Sequence, residues 1–391
     1  MPMFPLKTIT YLASAVITKN TPVYVQFYIT ARCNLTCKQC NIRYANADVR
    51  ECRLEEIKRI AENFATIGVA MVLLTGGEPF VRTDLPEIIR EFESRRIHVR
   101  MQTNGLSSQE SIHKAVQYGG RDISISLDSL RPPVQDDING GFPRSWHRAL
   151  KAVSYFSQYL PKNDSFASFG CVLQRDNLKD VENVIRFGSS IGWFTSLVPI
   201  HVSDTFHPLG FRTYDQSLKF KKKEFGAVNR LVERIRTMRD HGYLLYDSDQ
   251  YLDDIKRFVQ NLPTTWRDKN AGVCDSPNLY FAVLPNGDFA PCCDWRMPYG
   301  IHTYSKDFPK HYRDRIFRKD VYSITSACRG CMYGSYPEMT ISVRFNKARL
   351  ARLSTFFAAP PPKPWPMTYE QLIEKATKIQ NQRAARLTGP V

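Results

Sequence analysis

The sequence lacks any run of about 18 consecutive apolar residues, so a membrane-spanning helix is not expected. It also lacks an acidic excess: Lys plus Arg number 54 against 38 Asp plus Glu, a formal charge of +16 that favours anionic partners. RNA-binding aromatic motifs and zinc-finger spacings are missing, which argues against a dedicated nucleic-acid module. The opening stretch carries no charged leader and no clean cleavage pattern, so residues 11–18 read as a short element packed under the body and the expected compartment is the cytoplasm. At 391 residues, with 43% apolar and 24% charged, the chain is expected to fold as a globular protein of about two domains.

Cysteine is present in a telling arrangement. Eight of the ten cysteines fall into two sets, 33/37/40 and 274/292/293/328/331, in a chain too large to need disulfide staples. That pattern suggests thiolate metal ligation in a reducing compartment. Between and beyond the sets, β-branched and aromatic runs at 23–30, 69–75, 97–103, 122–128, 166–173 and 194–200 read as strands. Helical periodicity fills the intervals at 54–66, 85–93, 109–117, 145–159 and 177–187. Near-continuous apolar strands alternating with helices indicate a parallel sheet with helices outside it. Glycine and polar residues gather just past the strand ends, at Gly76-Gly77-Glu78, Asn104-Gly105, Asp128-Ser129 and Gln174-Arg175, the end of an α/β sheet that carries chemistry.

Past this layer the periodicity predicts a helix over 219–239, a shorter one over 251–262, and a hairpin over 279–290 turning at Pro285-Asn286-Gly287. A basic stretch runs from Lys306 to Lys319, and nine basic residues from Arg344 onward face only Glu370 and Glu374; their default reading is a solvated basic face. Residues 359–366 (APPPKPWP) read as an extended spacer. Thr368 and Gln371 form a capping box for a last amphipathic helix, expected to pack on the body, with a membrane surface or a partner as the alternative.

Cys33, Cys37 and Cys40, with three- and two-residue gaps directly after a strand, can wrap one corner of a cubane iron–sulfur cluster. One iron would then have no protein ligand and be open to a small molecule. This group, with Thr75-Gly76-Gly77-Glu78-Pro79 after the second strand, resembles the radical S-adenosylmethionine (SAM) superfamily over about residues 20–200. The resemblance implies an α/β fold, a partial (β/α)6 TIM-like barrel, with Cys33, Cys37 and Cys40 holding a [4Fe–4S] cluster whose free iron SAM chelates. It implies contact of Gly76, Gly77 and Glu78 with the methionyl amine, and cofactor roles for Asn104, Ser126 and Asp128. It also implies reductive cleavage of SAM, hydrogen abstraction from carbon by the resulting 5′-deoxyadenosyl radical, and a flavodoxin- or ferredoxin-like electron donor. Where many members have an aromatic before the third cysteine, this chain has Gln39, which leaves adenine stacking to another residue such as Tyr44.

The second set, Cys274-x12-Gly287-x4-Cys292 with Cys328-x2-Cys331, alone could be a four-cysteine zinc site. Beside the first motif it resembles the SPASM/twitch auxiliary domain. No cysteine follows Cys331, so the C-terminal twitch-type iron–sulfur form with a second, fully protein-ligated [4Fe–4S] cluster is expected. The glycine register favours Cys292 over Cys293 as the second ligand. Such a cluster suits structure or electron transfer, which makes net oxidation of a substrate available.

The expected organisation is a packing segment (1–22), the barrel (23–215), a helical link (216–270), the twitch-type domain (271–345), and the spacer with basic helix (346–391). Tyr28, Gln102, Gln174, Arg175 and His201 are pocket candidates at strand ends, with His201 and His207 equally readable as loop residues. Cys171 is a candidate hydrogen donor, which would give epimerisation, and Cys52 a weaker one; a small buried hydrophobe is the alternative for both. Only some thirty residues precede the first motif, so a small-molecule substrate, which the basic surface would attract if anionic, is favoured over a peptide. A peptide maturase and a non-enzymatic iron–sulfur or zinc RNA scaffold are the alternatives.

Overall fold

Strand segments that are apolar on both faces need cover on both, and the computed structural model shows how they obtain it. It describes residues 6–18, 21–42, 49–203, 211–267, 274–328, 330–357 and 361–388. After helix α1 (Leu6–Thr18), strands and helices alternate: β1 (Tyr24–Thr30), α2 (Leu54–Ile67), β2 (Met71–Gly76), α3 (Leu85–Glu93), β3 (His98–Thr103), α4 (Gln109–Gln117) and β4 (Asp122–Ser126). Then follow α5 (Pro132–Ile138), α6 (Ser145–Tyr159), β5 (Phe166–Leu173), α7 (Val181–Ser190) and β6 (Phe194–Pro199). The six strands lie in the order β6-β5-β4-β3-β2-β1, all parallel, as the sequence rhythm predicts. The sheet does not close. This is the partial barrel.

Pairing register sorts each strand into two faces. Tyr28 lies opposite Thr75, Gln102 opposite Ser124, and Ser126 opposite Gly170, so these positions share the inner face. Val25, Phe27, Val72, Leu74, Val99 and Ile125 face the helices instead, fully buried. Each such side chain contributes roughly 1.5–3 kcal/mol on burial.

The expected hairpin is present as β7 (Tyr280–Val283) and β8 (Phe289–Ala290), but it is not a separate layer. β7 pairs parallel to β1 and extends the barrel sheet to eight strands. Phe281 of β7 packs on Phe64 of α2 at 5.6 Å between ring centroids, and Phe64 meets Phe92 of α3 at 6.1 Å, so one aromatic layer spans both regions. The remaining helices are α8 (Lys222–Asp240), α9 (Asp249–Val259), α10 (Phe308–Arg313), α11 (Arg315–Ala327), α12 (Ser335–Arg344), α13 (Asn346–Phe357) and α14 (Tyr369–Thr388). The basic stretch 306–319 thus forms most of α10 and the start of α11, with Asp314 capping α11 through the amides of Ile316 and Phe317.

The C-terminal charges correct the expectation of a uniformly solvated basic face. Arg344 bonds the Trp266 carbonyl at 2.6 Å and pairs with Asp275, while Arg352 pairs with buried Glu338 at 2.7 Å and lies 3.8 Å over the Tyr246 ring. Lys363 donates to Ser165. The capping box forms as read, with Thr368 Oγ1 accepting from the Gln371 amide and Gln371 Oε1 from the Thr368 amide. Leu372 and Ala376 are buried, so α14 packs on the body. Among the described residues, no helix is long and apolar enough to cross a membrane.

Candidate active site

The first cysteine loop leaves β1 at Thr30 and is zipped at once to the end of β2. The Gly77 amide donates to Thr30 O and the Glu78 amide to Arg32 O, both at 2.8 Å. A Cβ at Gly76 (φ +141°) would lie 2.2 Å from Thr30 O, and one at Gly77 would lie 2.1 Å from Arg32 O. Both glycines are therefore required by the approach of the chain to itself. Glu78 is buried and fully engaged: it accepts from the Phe80 amide, from Thr103 Oγ1 at 2.8 Å and from the Asn104 amide at 2.7 Å. Burial pushes its carboxyl up to about 7 against these three donors. It thereby ties the end of β2 to the end of β3 and sets Asn104, whose amide reaches Asn34 Oδ1 at 2.7 Å and Cys33 Sγ at 3.8 Å.

The far end of the loop is clamped from other elements. Cys37 Sγ donates to Asn139 Oδ1 at 3.6 Å, Lys38 pairs with Asp137, and Cys40 bridges backbone to backbone with Arg212. Gln39 turns inward, donating to Asp128 Oδ2 at 3.4 Å, and its buried Oε1 has no partner. Asp128 also accepts from the Val172 amide at 2.6 Å; burial raises its carboxyl to about 7. Burial pushes the Cys33 and Cys37 thiols up, and the charges of Cys40, Asp128 and Cys33 add to the effect at Cys37. Three mutually repelling thiolates fit a multi-cation centre that neutralises them. Tyr44 lies outside the described residues.

The second set converges. Cys274, Cys292, Cys328 and Cys331 line one small cavity, together with Trp266, Trp295, Tyr280 and Tyr336. Cys293 is not in that lining; it packs behind, against the inner-face core of Tyr28 and Tyr336. It donates toward Cys292 and so holds that thiol below its usual value, while burial pushes Cys274 up to about 12. The Gly330 amide points at Cys328 Sγ at 3.3 Å. Four sulfurs around one space and an amide donor match the donor set of a protein-ligated cluster. Among the described residues no three His, Cys, Asp or Glu side chains come close enough to hold a single ion.

One strap joins the two centres. Arg212, bridged to Cys40, sends its side chain the other way: Nε to Asp294 Oδ2 at 2.8 Å and Nη2 to Gly330 O at 3.2 Å. Both members of that ion pair are buried. Asp294 also accepts from Tyr333 Oη at 2.9 Å. Phe211 O accepts from the Asn41 amide, its ring meets Tyr28 at 4.5 Å, and Arg296 lies 5.3 Å over its other side. None of Phe211, Arg212, Asp294 and Arg296 stood out in the sequence; Asp294 and Arg296 follow Cys292-Cys293 closely, while Phe211 and Arg212 carry no local signal.

Among the pocket candidates, Tyr28, Gln102 and Ser126 lie on the inner face near the mouth. Three expectations are corrected. Cys171 is fully buried with Leu173 and Val181 on the helix-covered face, 3.9 Å from Asp128 O, so it faces away from the barrel interior. Arg175 is committed to Glu224 at 2.7 Å and Ser217 O. His201 accepts the Met332 amide at Nε2 (2.8 Å) and stacks on Tyr333 at 3.8 Å, bracing the second cysteine set. Gln174 is buried in the turn before α7, its backbone amide bonded to Asn177 Oδ1 and its side-chain Nε2 buried without a partner, so it stays a pocket candidate. Cys52, like Cys171, is core, with the Gly287 turn folded against its sulfur. His207 lies outside the described residues.

The comparisons with known proteins agree with this architecture. The AdoMet-dependent heme synthase of Methanosarcina barkeri is 27% identical over 175 residues, 44% of this chain and 49% of that protein. The GTP 3′,8-cyclase of Haemophilus ducreyi is 38% identical over 122 residues, 30% of this chain and 36% of that protein. The chain thus spans half or less of the length of these curated relatives. Streptococcus suis SuiB, solved bound to precursor peptide SuiA, superposes with a TM-score of 0.60 at 16% identity, covering 84% of this chain and 77% of SuiB, a likeness of fold. The Radical SAM superfamily model matches residues 27–188, and over that stretch, which contains the three-cysteine loop, the Gly-Gly-Glu turn and strands β2 to β5, the chain carries a radical SAM domain.

Proposed function

We propose that this radical SAM enzyme holds a [4Fe–4S] cluster on Cys33, Cys37 and Cys40, with SAM beside it, and a second cluster on Cys274, Cys292, Cys328 and Cys331. We further propose that it removes a hydrogen atom from a carbon of a small metabolite, with the second cluster accepting the substrate electron. Bound there, the first cluster and SAM supply one-electron reductive cleavage and a carbon-centred radical. The chain's own residues do the positioning. Asn104 and Asn139 hold Cys33 and Cys37 through their amide groups, and Gln39 offers Asp128 and an unpartnered acceptor toward the mouth. Arg100, paired with Asp122, and Arg352, laid on Tyr246, fill the floor of the barrel, which leaves the reacting volume at the top.

The observation that carries this reading is the pairing of a three-thiol loop with a four-thiol cavity across the Arg212 strap. Three thiols leave an iron for the cofactor; four leave none, so the second centre suits electron transfer. A small molecule is favoured because the sequence relatives are named for heme and GTP chemistry. The likeness to peptide-bound SuiB supports a fold and no substrate. Anaerobically reconstituted protein given reductant and SAM is expected to form 5′-deoxyadenosine, and deuterium from the correct labelled substrate is expected in it. Cluster-replete protein that neither binds nor cleaves SAM would overturn the reading.

A further inference from the structure

We infer that Arg296 anchors an oxyanion of the substrate, a carboxylate or a phosphate, at the barrel mouth between the two cysteine centres. The inference rests on the reading above for calling that anion a substrate group.

Two arginines, Arg212 and Arg296, lie beside the second cysteine set. Arg212 is neutralised by Asp294, both side chains being buried. Asp294 accepts from Arg212 Nε with one oxygen and from Tyr333 Oη with the other, and it forms no ion pair with Arg296. Arg296 makes no ion pair among the described residues. Its Nη1 donates to the carbonyls of Cys293 at 3.0 Å, Trp295 at 3.2 Å and Cys292 at 3.5 Å, and its Nη2 is buried with no partner. A guanidinium with a buried, unused donor and no counter-charge is costly unless an anion completes it.

Position says where that anion would sit. The guanidinium is fixed at one edge by carbonyls next to the second cysteine set and stacks on Phe211 at 5.3 Å. Phe211 in turn touches Tyr28 of the inner face at 4.5 Å and holds the Asn41 amide, one residue from Cys40. The free edge thus belongs to the space shared by both centres. A planar fork with one edge preoccupied offers its other edge to a carboxylate or phosphate oxygen.

Calorimetric titration of the reconstituted full chain with inorganic pyrophosphate and with malonate tests this without turnover. Saturable binding of at least one probe is expected, weakened about tenfold or more by Arg296→Gln and unchanged by Lys310→Gln on exposed α10. Preference for pyrophosphate would assign a phosphate-bearing substrate, and preference for malonate a carboxylate-bearing one. If Arg296→Gln does not fold, Arg296→Met, which keeps an unbranched stem over Phe211 without the charge, carries the same comparison. Equal binding by wild type and either folded variant, or no saturable binding of either probe to wild type, would overturn the proposal. Failure of wild type to form 5′-deoxyadenosine would instead strike the enzymatic reading and leave this measurement standing.

Discussion

The two cysteine regions of this chain solve opposite problems. The first carries three thiols on a loop whose last member, Cys40, is exposed, and it is clamped by β2, β3 and β6-side elements. The second carries four thiols around a cavity walled by Trp266, Trp295, Tyr280 and Tyr336. The count of sulfurs and the enclosure change together: the region one ligand short is the accessible one. On the proposed reading, that difference separates a centre that meets a small molecule from one kept from it. The largest predicted effects break the comparison directly. Cys33→Ala is expected to abolish SAM cleavage and remove about half the iron, whereas Cys328→Ala should remove the other half yet retain 5′-deoxyadenosine formation. Iron and sulfide analysis beside product chromatography checks both. Retained cleavage in Cys33→Ala would erase the proposed division of labour.

A second perturbation falls on the first region alone. Gly76→Ala places a methyl 2.2 Å from Thr30 O at a left-handed φ, so β2 and the cysteine loop cannot both keep their places. A loss of at least ~3 kcal/mol is expected, read by chemical denaturation of the metal-free chain. A third falls on the junction. Arg212→Met leaves Asp294 buried and unpaired and is expected to cost about 3–5 kcal/mol, with much of it recovered in Arg212→Met/Asp294→Leu. Equal stability of the single variant and wild type would show that the strap does not hold the two regions together.

What the sequence made legible follows from the range over which each signal acts. Strand and helix positions came through because each is a local run: β5, α3, α4 and α6 match the sequence reading residue for residue, and the other barrel elements shift by one to four residues at an end. The thiol sets came through because motif spacing is also local. Cys171 did not, because a strand buried on both faces is apolar at every position and hides its phase; only pairing with β4 and β6 puts its neighbours Gly170 and Val172 on the inner face. The roles of Arg175, His201 and Arg352 were equally hidden, since their partners Glu224, Met332 and Glu338 are set by the fold. The Arg212–Asp294 pair spans 82 residues, a separation at which charge pattern carries no information about pairing.

The smallest predicted effect sharpens the contrast by isolating the floor beneath the second region. Asp247 is buried, accepts from Ser196 Oγ at 2.9 Å and the Leu197 amide at 2.7 Å, and lies near Glu338 of α12, the helix that follows Cys331. Burial first, and then the Glu338 charge, raise its carboxyl from 3.8 to about 8. In the unfolded chain the same acid loses its proton near its ordinary value, so between about pH 4 and pH 8 the unfolded state binds fewer protons than the folded one. Stability from this group is therefore greatest at the acid end and falls as the pH rises through that window. Asp247→Asn keeps an acceptor for the Leu197 amide and removes the proton, so its melting temperature should exceed that of wild type at pH 8, on the order of 2–4 °C, and approach it toward pH 4. Glu78 and Asp128, both raised to about 7 beside the first region, stay in place in this variant and keep a residual slope. Melting curves of the metal-free protein at pH 5 and pH 8 read the difference directly: an unchanged gap between wild type and Asp247→Asn at the two values would mean that Asp247 is charged in the folded chain and that the floor is held by ion pairing with Arg352 instead of by a neutral acid.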